Sequence, residues 1–313
     1  IIMGRNPDVS YGTYRLLSFD ELWKKSGFDE SEHMFSVRTR SADEEYGNGV
    51  HQWYCGMQDA GGVLQKGPWV GNRFHWYCLF DNEDYRITRG VKHRFQYDSQ
   101  VKNGRGYYYP GTPEYKLMAT GKNMDDVKVQ EPVAPFNDGL TYTNSISSNC
   151  LAFTTKYADV TDPTIGRTDA YWPFLRYADI VLIYAEAQCE LNDGISQDAI
   201  DALNDIRIRS NAKEASVTGD GAIETKVELR SVIFEERAKE LAYEGDRRWD
   251  LLRWGIYLDV MNSLGGINED GTRTPYDEGS INKRREFRHL LYPLPSLEVS
   301  TNMAIDKNNP GWN

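Results

Sequence analysis

Residues 236–254 read ERAKELAYEGDRRWDLLRW. Ten of these nineteen residues are charged, and they alternate with large aromatic and aliphatic side chains. Glu236, Glu240 and Glu244 recur at every fourth position, which places them on one face of a helix. Like charges at that spacing destabilise a helix by ~0.2–0.5 kcal/mol per pair unless cations answer them. Candidate cations lie close in sequence: Arg207, Arg209, Arg237, Arg247, Arg248 and Arg253. Two chemistries compete for such a stretch. A carboxylate pair can hydrolyse a glycoside, but it needs an acid and a base in separate environments. One carboxylate per turn along a single face supplies no such separation. An interhelical Arg–carboxylate network, bidentate where the planar guanidinium allows, fits the pattern better. The stretch is read as architectural, and no catalytic residue is assigned.

Working outward, the pattern is helical from about residue 176. In RYADIVLIYAEAQCEL the apolar positions Tyr177, Ile180, Val181, Tyr184, Ala187 and Leu191 mark one helix face, and Asn192-Asp193-Gly194 supplies a stop. Ser196 is an N-cap candidate for a second helix carrying Ile200, Leu203 and Ile206. The short connection predicts an antiparallel pair, about the size of a tetratricopeptide unit. A long helix is expected from about Glu224 to Glu244, ended or broken at Gly245, with DRRWDLLRWGIYLDVM continuing helically. The tail LYPLPSLEVSTN to NNPGWN carries enough Pro and Asn to predict an extended, docked segment.

The first half differs. SFDELWKKS reads as a short helix with Ser18 as N-cap, and EHMFSVRT alternates like a strand. From His51 to Tyr115 no helical period is visible. That window holds fourteen aromatics in 65 residues and is punctuated by Gly and Pro. Long irregular segments often carry binding. Flat aromatic rings can cover the apolar faces of sugars while loop polar groups take the hydroxyls. The candidate ligand-binding residues are Trp53, Tyr54, Trp69 and Trp76, with Tyr107 and Tyr108 beside them. The expected division is a loop-rich, aromatic-rich ligand-binding region over 1–170 and a helical scaffold with an extended tail over 171–313.

Composition narrows the class. With 40% hydrophobic and 27% charged residues, the 313-residue chain is globular rather than disordered. A formal net charge of −11 argues against a nucleic-acid partner, which requires a dense basic footprint. Cys55, Cys78, Cys150 and Cys189 contain no CxxC pair, so a zinc ribbon is not expected, and Cys189 falls on an apolar helix face. HExxH, GxSxG and P-loop patterns are absent from the sequence. No metal ligand or cofactor is assigned. Calcium is the one ion the oxygen-rich runs Asp81-Asn82-Glu83-Asp84 and Asn268-Glu269-Asp270-Gly271 could hold, and solvated turns are the preferred reading of both.

Several motifs, in order, resemble the SusD/RagB family of outer-membrane nutrient-binding lipoproteins. FLRYADIVLIYAEAQCELN (174–192), ALNDIRIRSN (202–211) and ELRSVIFEERAKELAYEGDRRWDLLRWG (228–255) are similar to its helical signatures. LYPLPSLEVSTN and NNPGWN are similar to its ending, while SEHMFSVR and LFDNEDYR match more loosely. The resemblance implies a mainly α, SusD-like fold: a tetratricopeptide-type scaffold with a long loop-rich insertion and little β-structure. It also implies a non-enzymatic protein on the extracellular face of the outer membrane. Such a protein captures oligosaccharide and delivers it to a SusC-like TonB-dependent barrel transporter. Alternatives are a peptide-capturing relative on the same scaffold and, from another class, a glycoside hydrolase. The opening IIMGRNPDVSYG shows no signal-peptide pattern. An export signal and lipid anchor, the only expected link to a membrane, are expected on a part preceding residue 1.

Overall fold

The structure is a computed structural model, and it describes residues 14–27, 32–41, 47–59, 64–66, 70, 76, 79–81, 83–92, 94–96, 103–106, 141–142, 153–262 and 285–312. The chain forms two units, one of residues 1–116 and 128–245 and the other of 117–127 and 246–313. In the first unit the described helices are α1 (Phe19–Leu22), α2 (Val50–Cys55), α3 (Tyr85–Thr88), α4 (Tyr177–Leu191), α5 (Gln197–Arg209) and α6 (Lys226–Glu240).

Helices α4, α5 and α6 make the larger core. Val181, Leu182, Ala185 and Cys189 of α4 pack with Ile200, Leu203 and Ile206 of α5 and with Leu229 and Ile233 of α6. These positions recur at three and four, so each helix turns one apolar stripe inward. Their ends are capped by the residues the sequence offers. The Ser196 side chain accepts from the Ala199 amide at 3.3 Å. Thr225 and Glu228 form a reciprocal capping box at the start of α6.

The strands are short. β1 (His33–Val37) pairs antiparallel with β9 (Trp172–Arg176), β2 (Met57–Gln58) with β3 (Leu64–Lys66), and β4 (Val91–Lys92) with β8 (Phe153–Thr154). β5 (Arg94–Gln96), β6 (Asn103–Gly106) and β7 (Thr141–Tyr142) form a three-stranded sheet in that order. A second core gathers Leu17, Phe19, Leu22, Trp23, Val50, Cys55, Leu64, Phe153 and Tyr157.

Five expectations need correction. The inner face of α4 is Tyr177, Ala178, Val181, Leu182, Ala185 and Cys189, and the expected face members Ala187 and Leu191 are exposed, because the core of α5 and α6 meets the helix on the side of its small residues. α6 ends at Glu240, not Glu244. A turn follows, in which Tyr243 takes φ +68° and Gly245 φ +102°, and the next helix starts at Arg247. Positive φ is costly for an aromatic residue and closes off the helix. Here the Tyr243 carbonyl is held by the Tyr157 hydroxyl at 2.7 Å. The window from His51 is not free of helix, because α2 and α3 lie in it; each is too short to show a period. The tail is not wholly extended: α9 (Ser296–Thr301) forms inside it, directly after Pro295, which is tolerated at a helix start. Finally, Asp84 is no solvated turn residue. It is buried, accepts from the Arg86 amide at 2.9 Å as the cap of α3, and pairs with the Arg86 side chain.

The second unit contains α7 (Arg247–Arg253), α8 (Tyr257–Asn262), a 3-10 turn (Phe287–Leu290) and α9. Arg248 organises it. Its guanidinium donates to the Tyr257 hydroxyl at 2.5 Å and to the His289 carbonyl at 2.9 Å, and lies over the Tyr292 ring.

Candidate ligand-binding site

The charged stretch that opened the sequence folds into a buried ionic hub. Arg86 holds Asp84 at 2.7 Å and Glu236 at 2.5 Å, and Arg207 takes the other oxygen of Glu236 at 2.8 Å. Arg209 bonds Glu240 at 2.5 Å and Glu32 at 3.2 Å. Arg176 joins Glu32 at 2.7 Å, Glu240 at 3.1 Å and Glu244 at 2.6 Å. Lys156 completes the hub, donating to Glu244 at 2.6 Å and to the Glu240 carbonyl at 2.8 Å. Five carboxylates (Glu32, Asp84, Glu236, Glu240, Glu244) thus face five cations, and Arg176 is only 1% exposed.

Burial opposes ionisation of Glu236, Glu240 and Glu244. The opposing cations win: Arg209, Arg176 and Arg86 hold the Glu240 carboxyl well below the usual range despite its burial. Glu236 and Glu244 are lowered in the same way, against burial, by Arg86 with Arg207 and by Arg176 with Lys156. Burial lowers the Lys156 ammonium, and Glu244 opposes that shift. An acid held ionised this firmly has no proton to give a leaving group at neutral pH.

Of the cations expected from sequence to answer these glutamates, Arg207 and Arg209 do so. Arg237 pairs instead with Asp179 at 2.8 Å, and Arg253 with Asp250 at 2.9 Å. Arg86, Lys156 and Arg176 were not expected, because they are distant in sequence. The available signal was in the motifs: the looser LFDNEDYR carries Asp84 and Arg86, the looser SEHMFSVR carries Glu32, and the helical signature at 174–192 carries Arg176.

The candidate aromatic residues are placed differently from one another. Trp53 sits on α2, whose inner face buries His51 and Cys55 one turn apart. The His51 Nδ1 meets the Tyr157 carbonyl at 2.9 Å, and the Cys55 thiol donates to the Thr154 carbonyl at 3.1 Å, its pKa pushed up to about 12 by burial. With those residues inward, Trp53 projects outward and is 50% exposed. Its indole lies over Gly49, where an added Cβ would come within 3.0 Å of the ring. Its carbonyl accepts from Val70 at 2.9 Å, tying in the following loop.

Tyr54 and Trp76 are partly buried anchors. The Tyr54 ring packs against Tyr157, Trp172 and Tyr243, with centroids 5.3, 6.0 and 5.7 Å away. The Trp76 indole meets Phe80 and Tyr243 edge-on and donates to the Ala238 carbonyl at 2.7 Å. The structure therefore brings Tyr54 and Trp76 together about Tyr243. Trp69, Tyr107 and Tyr108 lie outside the described residues, as does the run Asn268–Gly271. Among the described residues no group of three or more His, Cys, Asp or Glu is placed to hold a metal, and no helix is long and apolar enough to cross a membrane. Cys55 and Cys189 are buried free thiols.

Comparison with known proteins assigns this chain a family. The SusD family matches residues 63–312. The chain belongs to the SusD family. Among curated relatives, SusD-like protein P2 of Formosa agariphila is 33% identical over 142 residues, covering 44% of this chain and 25% of the relative. SusD-like protein P38 of the same organism is 36% identical over 142 residues, with coverage of 44% and 25%. Among solved structures, a SusD homolog from Bacteroides thetaiotaomicron superposes with a TM-score of 0.66 at 21% identity, covering 96% of this chain and 56% of that one. Surface glycan-binding protein A from Bacteroides fluxus gives 0.58 at 20% identity, with 96% and 55% covered. The fold is thus mainly α and SusD-like. This chain spans just over half the length of those solved structures, and its matched segment a quarter of the curated relatives.

Proposed function

We propose that this SusD family chain is a non-enzymatic binder that captures oligosaccharide at the outer face of the outer membrane and passes it to a SusC-like TonB-dependent transporter. The observation that carries the reading is the division of labour in the first unit. The signature carboxylates are consumed in ion pairs, while Trp53 is half exposed on α2, whose inner face is buried. A solved neighbour of the same fold named as a surface glycan-binding protein supports a carbohydrate ligand.

In this reading the binding region is 1–170 and the scaffold 171–313. Trp53 supplies a stacking face, Tyr54 and Trp76 hold it in place, and Trp69, Tyr107 and Tyr108 are further candidate ligand contacts. A rigid aromatic face costs little conformational entropy on binding and suits a ring of axial C–H groups. No cofactor takes part. A lipid anchor holds the protein at the membrane, and transport requires the aromatic face to be turned toward the barrel when ligand is enclosed.

Screening the purified chain against glycan and peptide arrays tests the capture step, with a reducing-sugar assay on every glycan retained. Saturable glycan binding without release of reducing ends is the expected result. Retention of peptides alone, or turnover of the bound glycan, overturns it. Co-purification with the neighbouring barrel transporter after mild detergent extraction tests the delivery step.

A further inference from the structure

A cleft of about 320 Å³ opens on the first unit, and none of Trp53, Tyr54 and Trp76 lines it. Phe19 and Trp23 lie one helical turn apart and form its apolar side. The rest of the lining includes Arg89 at the end of α3 and Thr155, Ala158 and Asp159. The volume lies at the lower end of the ~300–1,000 Å³ of small-ligand sites.

The polar groups around it are fixed. Arg89 bonds Asp20 at 2.6 Å across the cleft edge, and its guanidinium lies 3.6 Å from the centroid of Tyr85. Asp159 accepts from the Lys25 amide at 2.7 Å, which aims its carboxylate without using both oxygens. Thr155 donates to the Arg89 carbonyl at 3.1 Å and keeps its oxygen lone pairs. Lys24 has no ion-pair partner among the described residues. Two acids, Asp20 and Asp159, stand against two cations, Lys24 and Arg89, so the lining is neutral in sum but alternates acceptor and donor. The Trp23 Nε1–H is a buried donor with no partner, although its ring is packed against Tyr157 and His33 and covered by Lys156.

A net charge on the ligand would meet repulsion from half of this rim. A neutral polyol does not, because each hydroxyl both donates and accepts and can satisfy acid and guanidinium in turn. Its apolar C–H groups meet the exposed edges of Phe19 and Trp23, whose rings are otherwise buried. We propose that this cleft is a second binding site, for a neutral mono- or disaccharide unit, separate from the aromatic surface around Trp53. The proposal rests on the glycan reading above and adds a site to it.

The test is titration of the ¹⁵N-labelled full chain with maltose, cellobiose and galactobiose, following the assigned indole resonances of Trp23 and Trp53. The variants Asp20→Asn and Arg89→Ala serve as probes. Both residues are substantially exposed and their pair adds little to stability, so the variants are expected to fold. The expected result is a saturable shift of the Trp23 indole by at least one disaccharide, weakened about tenfold in Arg89→Ala for the loss of one charged hydrogen bond. The Trp53 response should be unchanged in both variants. If disaccharides shift Trp53 and leave Trp23 in place, the cleft site is overturned while glycan capture stands. If glucuronate or a zwitterion shifts Trp23 and the neutral sugars do not, the neutral-ligand assignment is overturned. If no sugar moves any resonance, the cleft proposal fails together with the glycan reading.

Discussion

The hub around Glu240 and the helix around Trp53 invert the usual placement of residues. In the hub, charge is inside; on α2, a tryptophan is outside. Burying an ion costs several kcal/mol unless partners and hydrogen bonds compensate, and exposing a large aromatic forgoes a large gain. Both arrangements are consistent with their surroundings. Every hub carboxylate meets at least one cation, and the hub ties the ends of α5 and α6 to Trp23 of the second core through Arg176 and Lys156. Trp53 faces out because His51 and Cys55 occupy the inner face of the same short helix. Residue type does not reveal which charge or which ring is buried; the partners each one finds do.

The hub should break first. Replacing Glu240 with Ala leaves Arg209 and Arg176 under-compensated in a buried site, and a loss of ~3–5 kcal/mol is expected in chemical denaturation. Glycan affinity should persist in the folded fraction. An unchanged denaturation midpoint with abolished binding would reverse the assignment of the two regions.

Trp53→Ala should do the opposite. Affinity is expected to fall by ~1–3 kcal/mol in calorimetry while the melting transition barely moves. Trp76→Phe removes the donor to the Ala238 carbonyl and should destabilise by about 1 kcal/mol without a direct effect on the ligand. If Trp76→Phe weakens binding as much as Trp53→Ala in fully folded protein, Tyr54 and Trp76 belong to the contact surface rather than behind it.

Acid sharpens the comparison. His51 is lowered by burial, which its contact with the Tyr157 carbonyl only partly offsets. A folded-state value below the unfolded one means the unfolded chain binds the extra proton. Stability should therefore decline as pH drops through about 6.5, with a slope of up to ~1.4 kcal/mol per pH unit for one site. Glu236, Glu240 and Glu244 are also lowered, so their contribution is complete above the unfolded carboxylate value and is lost only in strong acid. Denaturation curves at pH 7.5, 6 and 5 should show the His51 component, and His51→Asn should flatten it. An equal slope in the variant would move that component to another histidine, His33 being lowered as well.

The smallest effect is expected on the surface. Arg230 grips Glu190 with two nitrogens, at 2.5 and 2.7 Å, yet both residues are solvent-exposed. Arg230→Ala should cost no more than ~1 kcal/mol and should weaken further as an effect in high salt. A larger loss would show that geometry rather than burial sets the worth of an ion pair here.

Much of this was legible in the chain. Helix α4, its stop at Asn192, the Ser196 cap and the inward set Ile200, Leu203 and Ile206 follow from periodicity and capping chemistry, which are local. The architectural reading of Glu236 and Glu240 followed from their spacing. The missed elements are those whose cause is not local. α2 and α3 are only six and four residues long, too short for a period to emerge. Glu244 leaves the face it seemed to share because Tyr243 adopts a left-handed conformation fixed by contacts with Tyr54, Trp76 and Tyr157.

By itself the sequence determined that there is a helical scaffold, where its helices begin, and that its charges are structural, since each of those depends on residues a few positions apart. Only the tertiary structure decided which cations answer the glutamates and which aromatics face solvent. Arg86 lies 150 residues from Glu236 and Arg176 lies 144 from Glu32, and such pairs form only when packing brings distant segments to the same buried point. Trp53 and Tyr54 are neighbours in the chain, and one is half exposed while the other joins the core, because a helix turns successive side chains about 100° apart and the protein covers only one side.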